Sequence, residues 1–90
     1  METNVLNYRI LITPEKHEGR TVYNALCPAL GVADFGNSIE LAKKHIQGAI
    51  ECYLESLMKD GEPIPAPDLP DVTIATTTVR LPHGYKPVFI

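Results

Sequence analysis

Five side chains in this 90-residue chain are of the types that bind transition metals or act as nucleophiles: His17, Cys27, His45, Cys52 and His83. Zinc ligands must converge within about 2.0–2.3 Å of one ion, and none of the five has the spacing typical of such a site. His45 and Cys52 lie on one flank of a predicted helix with their backbones about 10 Å apart. A Cys–His nucleophile would bring Cys27 to His17 or His83, which nothing in the spacing requires. We therefore expect no metal, cofactor or catalytic residue, and two buried, reduced thiols.

The carboxylates and the net charge argue against nuclease catalysis and against nucleic-acid binding. A two-metal nuclease needs several carboxylates on adjacent strands, and the predicted strands contain only Asp34. The net charge of −3, with Lys and Arg scattered singly, disfavours nucleic acid and suits a basic partner. No signal peptide or long apolar run is visible, so we expect no membrane association and a cytoplasmic location.

One amphipathic helix over residues 36–61 is the element against which the rest must pack. Its start is marked by Asn37 and Ser38, either of which can cap it. Asp60 and Gly61 mark its end, and Pro63 cannot continue it. At 100° per residue one stripe is apolar; it consists of Ile39, Ala42, Ile46, Ala49, Ile50, Tyr53 and Leu57.

The remaining segments read as strands over residues 5–13, 21–27, 32–35 and 72–81. Pro14 is expected to end the first strand, and the proline-rich residues 62–71 form a stiff connector before the last. The predicted fold is α+β: a small antiparallel sheet with one long helix on one face, in the order β-β-β-α-β. Residues 1–81 form a single domain and residues 82–90 a C-terminal tail.

An ordered set of motifs resembles the HicB antitoxin family. It consists of Pro28-Ala29-Leu30-Gly31, then residues 36–42 (GNSIELA), Ala49-Ile50, Tyr53-Leu54, and residues 60–67 (DGEPIPAP). The resemblance covers residues 8–80. It implies a partial ribonuclease H-like domain that binds a HicA-type toxin, a small basic mRNA interferase, and covers its RNA-cleaving surface.

The chain departs from the family pattern at three places. The turn after Leu30 has Gly31-Val32-Ala33 where the family usually has Pro-Gly-Cys, and Leu41 stands where a glutamate is usual after the helix cap. Family members also carry a C-terminal DNA-binding module, whereas nine residues follow Leu81. We therefore expect this chain not to bind an operator.

The first hypothesis is a non-enzymatic antitoxin domain that neutralises such a toxin. The alternatives are an orphan oligomeric protein-binding module of the same fold and, less favoured, an enzyme with a site between subunits. A single helix covers only one sheet face, and the face away from it is expected to carry residues of mixed character: Arg9, Leu11, Thr21, Tyr23, Ala25, Thr73 and Ala75. We therefore expect a symmetric homo-oligomer, most simply a dimer. Its expected contacts are a helix flank and the tail: Leu41, His45, Gly48, Cys52, Val88, Phe89 and Ile90.

Overall fold

The computed structural model describes residues 5–67 and 73–90. Three strands precede one long helix, and the sheet order is β1-β2-β3 with both neighbouring pairs antiparallel. This confirms the predicted α+β class and the β-β-β-α order. The elements are β1 (Leu11–His17), β2 (Arg20–Cys27), β3 (Val32–Gly36) and α1 (Ile39–Lys59).

The first hairpin differs from the prediction, because β1 continues through Pro14 to His17. Pro14 lies opposite Tyr23 in the ladder, and proline is tolerated there because β1 is an edge strand whose missing N–H can face away from β2. The turn contains only Glu18 and Gly19, with φ of 52° and 79°, as in the two-residue turns that match strand twist. Residues 5–10 do not extend the strand, since β2 ends one residue beyond the partner of Leu11.

Both ends of α1 are capped as the sequence indicates. Of the two candidate caps the structure selects Ser38, whose Oγ accepts a hydrogen bond from the Leu41 N–H at 3.1 Å. At the other end Gly61 takes φ of 70°. Its N–H donates to the Met58 carbonyl, and the Glu62 N–H donates to the Leu57 carbonyl at 2.9 Å. This is the paired arrangement that satisfies the last helical carbonyls.

The core lies between the inner sheet face and the predicted helix stripe. Helix α1 packs on β3 and β2 and hardly contacts β1, so the half of the sheet next to β1 is poorly covered. The buried residues are Ala25 and Cys27 from β2, and Ala42, Ile46 and Ile50 from α1.

Two predictions about the sheet are wrong for the described residues. Thr21, Tyr23 and Ala25 were expected on the outer face, but Ala25 is buried and Tyr23 packs against the core. Both alternating sets of β2 contain apolar residues, so the sequence did not fix which set faces inward. The fourth strand predicted over residues 72–81 does not form in the described part, residues 73–81, where every residue is exposed. β-branched residues favour an extended backbone, but a strand also needs a neighbour.

Candidate binding surfaces

A groove runs beside α1 on the flank nearest β1. Its volume is about 820 Å³, and we call it the lateral groove. Ile46, Ile50 and Leu54 line its helical side, while Tyr8 and Ile10 line the other. A polar rim surrounds these apolar walls; it is formed by Glu40, Lys43, Lys44, Gln47 and Glu51. Apolar walls with a polar rim suit a peptide or strand with an apolar face.

A hydrogen bond ties the connector after α1 to the N-terminal end of this groove. The Tyr8 hydroxyl donates to the Pro65 carbonyl at 2.6 Å. Burial raises the pKa of Tyr8, and the charge interaction with Cys27 adds a smaller effect in the same direction. Tyr8 therefore keeps its proton, and this bond, at neutral pH.

The outer sheet face presents a second apolar surface. Leu11 and Leu26 are cross-strand partners, and Phe35 on β3 is 60% exposed. The same face has a shallow concavity of about 500 Å³ that these side chains line together with Thr13 and Ala33. Towards the hairpin the face becomes polar, since the Asn24 side-chain amide donates to the Glu15 carboxylate.

The helix flank predicted to make oligomer contacts lies on the β3 side of the molecule. His45 Nδ1 donates to the Phe35 carbonyl oxygen at 2.7 Å, so its role here is to bind the backbone of β3. Leu41 is 41% exposed, and a side chain at Gly48 would meet open space. The tail residues Val88, Phe89 and Ile90 are almost wholly exposed, so the structure does not bring them against this flank.

The candidate chemical residues are not gathered into a site. Cys27 is fully buried in the core, whereas Cys52 is exposed, which corrects the prediction that both thiols are buried. The three histidines are exposed at separate places, on β1, on α1 and in the turn after Pro82. Across residues 5–67 and 73–90, no three His, Cys, Asp or Glu side chains are grouped so as to hold a metal ion. Asp34 accepts a hydrogen bond from the Phe35 N–H at 2.8 Å.

Comparison with known proteins places the chain in a family. It is 39% identical over 66 residues to the UPF0150 protein ssr1765 of Synechocystis sp., a match that covers 72% of this chain and 80% of the relative. The chain belongs to the UPF0150 family. No family profile matches it, and no solved structure matches it.

Charge in this UPF0150 protein is divided unevenly along the chain. Residues 1–72 hold six Lys and Arg against eleven Asp and Glu, while residues 73–90 hold two Lys and Arg and no acidic residue. On α1 three exposed carboxylates, Glu40, Glu51 and Glu55, fall within about 60° of one another around the helix axis. We call these three the acidic stripe.

The lateral groove is the surface that sequence reasoning missed in this UPF0150 protein. Leu54 falls outside the predicted helix stripe, and residues 5–10 are rich in apolar side chains beyond the end of the ladder. Leu54 indicates that the apolar surface of α1 extends beyond the predicted stripe, and residues 5–10 supply apolar side chains that can face it. Among the described helices, none is long and apolar enough to cross a membrane.

Proposed function

We propose that this UPF0150 protein is a non-enzymatic HicB-like antitoxin domain that binds and neutralises a HicA-type mRNA interferase toxin. The observed β-β-β-α order is the order expected for the first four elements of the partial ribonuclease H-like domain that the resemblance implies. Binding by a folded surface needs no catalytic group, and the scattered histidines and cysteines are compatible with such a role.

The acidic stripe is the observation that carries this proposal. Glu51 and Glu55 are four residues apart on one exposed face, and like charges at that spacing destabilise a helix by about 0.2–0.5 kcal/mol. A basic partner would be attracted to both carboxylates and would offset the repulsion between them. Complementary charge speeds encounter and fixes the orientation of a complex more than it raises affinity. The stripe therefore suits the capture of a small basic toxin.

A neighbouring reading frame that encodes a short basic protein would supply the toxin for the test. Purified toxin is assayed for mRNA cleavage with increasing amounts of the UPF0150 protein, and the affinity of the pair is measured at several salt concentrations. We expect inhibition at stoichiometric amounts and an association rate that falls as salt increases.

The decisive variant replaces all three residues of the acidic stripe with glutamine. The matched control replaces Glu15, Glu18 and Glu62 with glutamine, which removes the same charge elsewhere on the surface. We expect the stripe variant to slow association with the toxin at least tenfold and the control to change it little. Equal effects of the two variants would refute the role of the stripe, and unimpeded RNA cleavage at saturating wild-type protein would refute the function.

An oligomeric protein-binding module without a toxin is the second candidate. The exposed apolar side chains of residues 73–90, among them Val79 and Phe89, favour assembly of this chain. If no basic protein is encoded nearby and none co-purifies, this second function is the better one.

A further inference from the structure

Residues 73–90 are exposed throughout, and the chain as a whole leaves an unusual amount of surface uncovered. The accessible surface is 8097 Å², whereas a compact monomer of 9.9 kDa exposes about 5,200 Å². The radius of gyration is 18.1 Å, against about 12 Å for a compact domain of this length. The surplus of about 2,900 Å² exceeds the roughly 800 Å² per partner that a standard interface buries. The chain therefore has enough uncovered surface for an extensive dimer interface.

The two edges of the sheet differ in what they can accept. At β3 both backbone polar groups of Phe35 are taken by side chains: its N–H donates to Asp34 and its carbonyl accepts from His45. In the described part of the chain β1 pairs with β2 alone, so its other edge is open to strand addition except at Pro14, which has no N–H to donate. A further strand is therefore expected at β1.

The lateral groove lies beside this open edge. Its walls include Ile50 and Leu54 of α1 and Ile10, which directly precedes β1. A strand added to β1 would extend the sheet beneath that flank of the helix and direct every second side chain into the groove. Residues 73–81 fit this requirement, because Ala75, Val79 and Leu81 fall on one face of an extended chain.

Charge favours the same pairing. Residues 73–90 carry Arg80 and Lys86 without an acidic residue, whereas residues 1–72 are acidic. Glu40 and Glu51 stand on the rim of the lateral groove. The rim also holds Lys43 and Lys44, so the attraction is between the basic segment and the acidic remainder of the second copy as a whole.

We propose that residues 73–81 of a second copy add to the free edge of β1 and fill the lateral groove, and that the exchange is reciprocal and forms a symmetric dimer. Residues 73–81 of the same copy are exposed throughout, so they do not fill their own groove. Pro63, Pro65 and Pro67 stiffen the connector, and the Tyr8 hydroxyl holds it at Pro65. A stiff connector favours exchange over a tight return. The proposal is independent of any toxin.

Light scattering on a dilution series gives the first test. We expect a mass near twice 9.9 kDa at micromolar concentrations. A sample that mixes isotope-labelled and unlabelled chains should then show nuclear Overhauser contacts between residues 73–81 of one copy and β1 of the other. A monomer at tens of micromolar, or contacts to β1 confined to single chains, would overturn the proposal.

Two proline variants test the strand itself. Thr76→Pro and Thr77→Pro each remove one N–H, and the two N–H groups point to opposite sides of an extended segment. One of them must therefore face β1, and we expect that variant to raise the dimer dissociation constant tenfold or more while the other has a much smaller effect. Neither position packs in the described core, so circular dichroism should report an intact helix in both. Val88→Asp is the control in the tail. Equal dimer dissociation constants for both proline variants and the wild type would refute the pairing of residues 73–81 with β1.

Discussion

Gly36 and Gly48 provide a paired test of how α1 packs on the sheet. Gly36 is buried at the end of β3. A Cβ atom there would lie 2.5 Å from the Ala42 backbone nitrogen and 2.8 Å from the Leu41 carbonyl carbon. These are backbone atoms of the first helical turn and cannot rotate away. Overpacking of this kind costs about 1–3 kcal/mol, so we expect Gly36→Ala to destabilise the domain by that amount.

Gly48 lies within α1, and an added Cβ would have no neighbour within 4 Å. Glycine in a helix interior is about 0.8–1.0 kcal/mol less favourable than alanine. Gly48→Ala should therefore stabilise the domain by roughly this amount. The same chemical change is expected to have opposite effects on stability at the two positions, because Gly36 abuts the first turn of α1 whereas the space beside Gly48 is open.

Thermal unfolding followed by far-ultraviolet circular dichroism measures both effects. For a domain of this size 1 kcal/mol shifts the melting temperature by about 4–8 °C. All variants must be compared at one protein concentration, because the proposed dimer would make the melting temperature concentration-dependent. If Gly36→Ala melts with the wild type, the close approach of α1 to β3 is wrong. If Gly48→Ala is destabilising instead, the flank containing Gly48 is packed against another surface, as the sequence-based oligomer hypothesis expected.

Three further predictions concern single side chains. Ile46→Asp should unfold the domain, since Ile46 is 1% exposed and a buried unpaired charge is costly, while Glu55→Ala should retain the wild-type melting temperature; equal melting temperatures would contradict this. Tyr8→Phe should lose about 1 kcal/mol at neutral pH with the bond to Pro65. Burial raises the pKa of Tyr8, so its stabilisation is complete below about pH 10 and is lost as the pH rises through the raised pKa; urea titrations should show wild type losing more stability than Tyr8→Phe in that range, and equal losses would argue against it. Glu18→Asn should raise the unfolding free energy by about 0.5–1 kcal/mol, since asparagine tolerates the positive φ of this turn, and a lower value in chemical denaturation would count against the turn assignment.

Local signals in the sequence determined the helix and the turn before β3. Ser38 and Gly61 act within one helical turn of themselves, through bonds to Leu41 and Met58, so their effect does not depend on the rest of the fold. Gly31 takes φ of 69° in the turn after Leu30, a conformation that glycine adopts without strain. The apolar stripe likewise identified Ala42, Ile46 and Ile50 as core residues.

Tertiary structure decided the extent and the orientation of the strands. Pro14 remains inside β1 because that strand lies at the edge of the sheet, a position that its own sequence does not specify. The inward position of Tyr23 and Ala25 follows from the packing of α1 on their face of the sheet, which alternation alone does not specify. Residues 73–81 have the composition of a strand and form none within a single copy. A helix closes its backbone hydrogen bonds within itself, whereas a strand exists only when another segment supplies its partners.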